Sequence, residues 1–441
     1  MSLRRTAAVI AAAAVAVLAI APAARSQAQA PAPVQAPAPV MTDVSDAAAG
    51  WLARQLVNGD HFENVHDGTT YPDQGLTLDA LFAFTAAGVA SDSADKAAAW
   101  LARPEIIDNY LRLGKPTDSF AGPHAKLALA AQVRGQNPTD FGGVDLIAGL
   151  TALQTPSGRF SDKSQYGDLS NGFTQAFAVL ALDRWQGAPK AAVDYLVGTQ
   201  CPDGGFPLIL GAPTCASHVD ATTMVVQALV AVGKTAEAGK ALDWLTGVQQ
   251  PGGGFRDEDQ TDEGNANSTG LAAQALRVGG RTAAADKAAA FLTSLQVACA
   301  AAVADRGAIA FDKTGFTQVS SLRASAQGVL GLVGVNFADL TAEGGTPGAP
   351  VLDCPVTTTT PTSPTSSTSD TTTTTATTTT DVTATTTTTT TAAAVVVVGN
   401  RGNLARTGVE IGLALWIGAL LLVGGVLTVV LSRRRYAEAR K

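Results

Sequence analysis

The stretch Val248-Gln249-Gln250-Pro251-Gly252-Gly253-Gly254-Phe255 decides the fold. Reduced to Gln-x-x-x-Gly-x-Phe, the same string recurs over residues 200–206, with Asp203-Gly204-Gly205-Phe206, and over residues 154–160, with Gly158-Arg159-Phe160. Each string follows a segment with an aromatic or apolar pair, Tyr195-Leu196 or Trp244-Leu245, and each precedes an Ala-Leu stretch: residues 178–182, Gln227-Ala228-Leu229 and Gln274-Ala275-Leu276. Leu295-Gln296 with Ala310-Phe311 and Gln327 forms a looser copy, and upstream Trp51-Leu52 and Trp100-Leu101 match the later pairs. Phenylalanines at 62, 120, 160, 206, 255 and 311 then mark six units. Strand-like alternation of β-branched residues is nearly absent between 44 and 340, so each unit reads as a helical hairpin. One hairpin cannot bury its own apolar face, and six closing on one another predict twelve helices, six inside and six outside. At the turns, Gly supplies positive φ, Phe plugs the hairpin end and Gln bonds backbone.

These turns and the Ala-Leu helices after them resemble the repeats shared by squalene and terpene cyclases and protein prenyltransferase β-subunits. The same toroid is known in complement-type thioester domains and cobalamin carriers. The resemblance is strong over residues 150–280 and weaker over 44–130 and 285–340. It implies an all-α fold, an α/α toroid of about six helical hairpins over residues 44–355, with the inner-helix N-termini around one mouth of a funnel.

Both ends of the chain carry an address. Arg4 and Arg5, the apolar run 7–21 and Ala28-Gln29-Ala30 read as a secretory signal peptide over residues 1–30, and residues 31–43 as a Pro/Ala linker. Residues 411–431 are uncharged and apolar, long enough for a transmembrane helix, and Arg433, Arg434 and Arg435 open a basic cytoplasmic tail over 432–441. Residues 356–403 form a Thr-rich tract too poor in apolar groups to fold, expected to be a disordered stalk whose threonines offer sites for O-glycosylation. Between stalk and span stands Leu404-Ala405-Arg406-Thr407-Gly408. Followed by an apolar helix and basic residues, it resembles the sorting signal by which sortases fix surface proteins to the Gram-positive wall. Ala405 stands where the common form has Pro, as in the variant of high-GC actinobacteria. The resemblance implies cleavage after Thr407, sortase as processing partner and peptidoglycan as the final attachment.

Composition narrows the function. The whole chain carries a net charge of −7; without the termini 1–30 and 408–441, 22 basic residues face 35 acidic ones. Such a body is repelled by phosphate backbones, so no nucleic-acid partner is expected. Protonation-initiated cyclases need an Asp-x-Asp-Asp acid and cavity aromatics; Asp257-Glu258-Asp259 lacks the paired final Asp, and of five Trp and five Tyr, Trp416 and Tyr436 fall outside the body. Prenyltransferase zinc needs Asp-x-Cys and a distant His, and thioesters need Cys-Gly-Glu-Gln; neither occurs, and no metal or cofactor is expected. Cys201, Cys215, Cys299 and Cys354 permit three pairings, and Cys201–Cys215 with Cys299–Cys354 is favoured.

The remaining polar candidates gather where inner helices begin: Asp73 and Gln74, His124, Asn171, His218 and Asp220, and Asn267, which lies 47 residues beyond Asp220. They read as N-caps or as a polar rim for a ligand. His61 and His66 read as solvated loop residues. The leading expectation is a wall-anchored surface protein that binds a small molecule, glycan or protein without catalysis. Alternatives are an anchored enzyme on polysaccharide, with Asp220 and Asp259 or Asp262 as its carboxylates, and a cobalamin-carrier-like binder.

Overall fold

A computed structural model describes residues 40–41, 43–256 and 264–354. The expected signal peptide, stalk, sorting motif, transmembrane span and basic tail, most of the expected linker, and the acidic loop 257–263 lie outside the described residues. A short β1 (Val40–Met41) precedes the outer helix α1 (Val44–Arg54), and the hairpin β2 (Glu63–His66) and β3 (Thr69–Pro72) leads to the inner helix α2 (Gln74–Ala87). The second unit has two outer helices, α3 (Ser91–Leu101) and α4 (Pro104–Arg112), before the inner α5 (Ala121–Val133). Then outer and inner helices alternate: α6 (Leu146–Thr151) and α7 (Gly172–Gln186), α8 (Lys190–Gly198) and α9 (Val219–Ala231), α10 (Thr235–Val248) and α11 (Ala266–Val278), α12 (Thr282–Ser294) and α13 (Gln318–Val333). The strand β4 (Val351–Leu352) pairs in parallel with β1.

The inner helices pack in chain order, α2 on α5, α5 on α7, α7 on α9, α9 on α11 and α11 on α13, and α13 packs back on α2. The ring is therefore closed, as an α/α toroid. Inner helices are buried on all sides: in α2 every residue from Gln74 to Thr85 is buried, as is every residue of α7 from Gly172 to Leu182. Their all-round Ala, Leu and Val composition follows from that position, whereas outer helices bury one face only.

The turns explain how one unit fixes the next. Gly158, Gly204 and Gly253 have φ of 92°, 99° and 90°, and a Cβ on each would lie 2.0, 2.9 and 2.3 Å from the carbonyl oxygens of Ala191, Lys240 and Lys287 on the following outer helices. Only glycine meets both demands. Gln200 and Gln249 donate from Nε2 to their own turns and to the same next helices, at the carbonyls of Glu237 and Ala284, both at 2.9 Å. Ring closure repeats the device: Gly307, φ 92°, stands over the Ala47 carbonyl, and Gln296 donates to that of Val44 at 2.9 Å. The behaviour expected of the turn Gly residues is observed, and that of the turn Gln at Gln200, Gln249 and Gln296; in the third unit Gln175 of α7 takes the place of Gln154, donating to the carbonyls of Gly158 and Ala192 at 3.0 and 3.1 Å.

Four features differ from the sequence reading. The second unit carries the additional α4, giving thirteen helices among the described residues. Phe120 is the N-cap of α5 and not a plug at a Gly-x-Phe turn. In the sixth unit the plug is Ile309, whose N–H donates to Ser325 Oγ at 2.9 Å as that of Phe206 does to Thr222 Oγ1; Phe311 is only half-buried. Last, β2 and β3 pair around Asp67 and Gly68, both at positive φ, a two-residue turn that the helical periodicity masked.

After α13 the chain turns inward. Phe337 stacks edge-on against Phe82 of α2 at 5.0 Å between centroids and lies 6.0 Å from Phe177 of α7. Its N–H donates to Gln227 Oε1 of α9, while Gln274 of α11 donates to the Val335 carbonyl at 2.6 Å. The segment from Val335 to Phe337 is thus held from four inner helices, α2, α7, α9 and α11, with the Phe337 ring between the first two, and it lies inside the ring on its axis. The segment then runs outward past Gly88 and Ala90 to β4. Two disulfides, Cys201–Cys215 and Cys299–Cys354, match the favoured pairing, and the second ties the end of this segment to the sixth unit.

Candidate functional site

The mouth is made by the six inner-helix N-termini, and three of the seven residues expected there are caps. Asp73 Oδ1 accepts from Leu76 N at 2.8 Å, Asn171 Oδ1 from Thr174 N at 3.2 Å, and His218 Nδ1 from Ala221 N at 3.4 Å. Asn265 and Thr317 cap α11 and α13 in the same way. Gln74 is buried and donates to Asn109 Oδ1 of α4 at 2.9 Å. Asp220 and Asn267 each stand two residues after a cap, at equal register on neighbouring helices, and both are buried. No described hydrogen-bond partner meets Asn267 Oδ1.

His124 departs from the expected rim. Its Nδ1 lies 2.8 Å from the Phe120 carbonyl, and its ring fills the space in front of Gly149 on the outer helix α6, where a Cβ would come within 2.5 Å. Burial pushes its pKa down, so the ring is held neutral between an inner and an outer helix. His61 is no solvated loop residue either: it stacks on Trp100 at 4.5 Å, with Asp60 Oδ1 2.6 Å from Nδ1 and Glu63 Oε1 3.4 Å from Nε2. His66 is exposed in the hairpin turn, as expected.

The capping geometry exposes a group that the sequence reading missed. Six residues after the six N-caps stand Asp79, Lys126, Phe177, Met224, Leu271 and Arg323, one per inner helix. Three are charged, on the neighbours α13, α2 and α5, and three are apolar, on α7, α9 and α11. Lys126 Nζ donates to Asp79 Oδ1 at 2.5 Å and to the Gly75 carbonyl at 3.0 Å. Arg323 Nη1 donates to Asp79 Oδ2, and its Nη2 lies 3.7 Å from Asp73 Oδ2. Beside them the Tyr110 hydroxyl of α4 is buried with no described hydrogen-bond partner, and burial, with Asp79 and Asp73 close by, pushes its pKa up. Lys126 Nζ also sits 5.9 Å from the Phe177 ring centroid. A signal existed: an ionisable residue inside an otherwise apolar, all-round-buried helix needs a partner, and Asp79 and Lys126 are 47 residues apart at equal register.

Chemically, the described ring offers balanced charge. Asp79 is held between two cations and Asp73 faces Arg323, so neither is placed as a lone acid. Among the described residues no three His, Cys, Asp or Glu side chains come together to hold a metal.

The prenyltransferase alpha-alpha toroid domain family model matches residues 128–262 and 173–297, the span with the regular turns. Among solved structures, a protein from Actinoplanes is similar at 17% identity and TM-score 0.50, covering 66% of this chain and 98% of that one. The type II terpene cyclase MstE from Scytonema is similar at 15% identity and TM-score 0.49, with 66% and 96% covered. An inactive variant of an α-1,6-mannanase from Salegentibacter, in complex with α-1,6-mannotriose, is similar at 12% identity and TM-score 0.49, with 66% and 98% covered. At these identities the likeness is one of fold. No curated protein matches in sequence.

Proposed function

We propose that the chain is an exported surface protein, joined to the cell wall through Thr407, whose toroid binds a ligand or partner at the mouth of the inner helices and carries out no reaction. The observation that supports binding most is the filled axis. Phe337 occupies its lower part, and the level of Asp79, Lys126 and Phe177 is packed above it. A terpenoid chain needs a deep apolar cavity, and glycan cleavage needs two carboxylates flanking one bond. Here the deep level is ionic on one side, and its acid is engaged by two cations. Among the described residues this leaves for recognition the polar rim, where Asp220 and Asn267 stand at matching positions. Export is supported by the pairing of all four cysteines, since disulfides persist in oxidising surroundings.

Two measurements test the reading. Thr407→Ala should move the protein from the wall fraction to the membrane fraction; unchanged wall retention refutes the covalent junction. Native mass spectrometry of the exported protein, with and without wall glycan fragments, should show a bound mass that Asn267→Ala weakens. Turnover of any glycan, lost in Asp220→Asn, would overturn the non-catalytic part.

A further inference from the structure

The contact between Lys126 and Asp79 is unlike the other ion pairs among the described residues. The others engage at least one exposed or half-buried side chain, whereas Lys126 is 1% exposed and Asp79 7%; burial, and not the Nζ–Oδ1 distance of 2.5 Å, sets this pair apart. We propose that Lys126 Nζ and Asp79 Cγ are joined by an intramolecular amide bond, a covalent tie between α2 and α5 formed within the folded toroid.

The surroundings supply what such a condensation needs. The Gly75 carbonyl, 3.0 Å from Nζ, fixes the amine beside the carboxyl group, and two groups so held react as if at high concentration. Burial pushes the Lys126 pKa down, towards the neutral and nucleophilic amine, although Asp79 opposes this. Arg323 donates to the other carboxylate oxygen, where negative charge gathers when a nucleophile adds to the carbon. The Phe177 ring, at the same level on the neighbouring helix α7, helps exclude water from the group.

The step balances without any co-reactant. One ammonium proton passes to the carboxylate, giving an amine and a carboxylic acid. The nitrogen lone pair attacks Cγ, forming the N–C bond and an oxyanion facing Arg323. A second proton moves from the nitrogen to the hydroxyl oxygen, the C–O bond breaks, and one water leaves. Charge remains balanced: before the reaction two cations face Asp73 and Asp79, and afterwards Arg323 faces Asp73 alone, 3.7 Å away. The cost of keeping Lys126 and Asp79 ionised in the interior disappears.

The test uses the exported full-length chain, denatured, reduced and digested with trypsin. The expected result is a branched peptide linking Lys126 to Asp79, its mass one water molecule below the sum of the two peptides it joins, and no cleavage after Lys126. Asp79→Ala should restore cleavage after Lys126. Complete cleavage after Lys126 in the unaltered protein, with no branched peptide, overturns the proposal whether or not the variant folds.

Discussion

The half of the ring built on α7, α9 and α11 and the half built on α13, α2 and α5 solve the same packing problem with different chemistry. In the first, every unit has a glycine under the next outer helix, a glutamine bonded across to that helix, a phenylalanine plug, and an apolar side chain six residues into the inner helix; the glutamine comes from the turn in two units and, as Gln175, from the inner helix α7 in the third. In the second the devices differ from unit to unit, although unit six keeps the glycine and glutamine as Gly307 and Gln296. Unit one inserts a hairpin, unit two inserts α4 and begins its inner helix on Phe120, and unit six plugs its turn with Ile309. The matching level there carries Arg323, Asp79 and Lys126. The family model covers the regular half and stops near the start of the irregular one, which also receives the incoming and outgoing chain at β1 and β4. Repetition holds where both neighbours are alike. Where the ring must close and connect, specific ion pairs, a disulfide and an inserted tail take over.

The largest effect should come from breaking the shared turn. Gly253→Ala places a Cβ 2.3 Å from the Lys287 carbonyl at φ 90°, combining overpacking with backbone strain, and should cost about 4–5 kcal/mol by chemical denaturation. Gly280→Ala, at φ 72° with open space around it, should cost only about 1 kcal/mol. Gly307→Ala sharpens the comparison. If closure uses the same joint as the regular half, its cost matches Gly253→Ala and not Gly280→Ala.

That joint was also the most legible part of the sequence. Gln, Gly and Phe at fixed spacing state the turn, its φ and its plug without any tertiary knowledge, and two of the three clearest copies lie in the matched span's centre. The ionic trio was not legible in the same way. Asp79, Lys126 and Arg323 are each solitary among alanines and leucines, and only the positions of the N-caps, which the hairpin and α4 displace in the first two units, bring them to one level. His124 misled for a related reason: one residue past Gly122-Pro123 it has the right distance from a helix start, but the helix turns it outward to Gly149. The axial position of Phe337 needed the path of the chain beyond α13, which no periodicity encodes.

Phe337→Ala probes the irregular half next. It removes a ring packed between Phe82 and Phe177, and a cavity on the axis should cost about 3–4 kcal/mol in denaturant. If the tail were only a surface strap, the loss would fall under about 1 kcal/mol. Arg323→Met should cost less, about 1–2 kcal/mol, when Asp79 is an amide, because only a hydrogen bond and the pairing with half-buried Asp73 are lost. An ionised Asp79 would raise the loss to about 3–5 kcal/mol, so this stability measurement reports on the amide independently of mass.

The smallest effect lies at the seam between the halves. α5 has no capping side chain of its own, and Asp162, from the turn leading into α7, accepts from Ala121 N at 2.7 Å in its stead. Burial pushes the Asp162 carboxyl up to about 6, and nearby Asp168 adds to the rise, while the hydrogen bonds from Ala121 and Leu169 pull against it. The folded state therefore holds this proton more tightly than the unfolded chain, whose value is near 3.8. Between those values the native state carries more protons, so this group's contribution is complete below pH 3.8 and declines as the pH rises towards about 6. Asp162→Asn keeps an oxygen for Ala121 N and removes the titration. Stability measured across this window in the two proteins should differ by a slope of that sign, and equal slopes would mean that solvent reaches Asp162 and the seam is looser than its hydrogen bonds indicate.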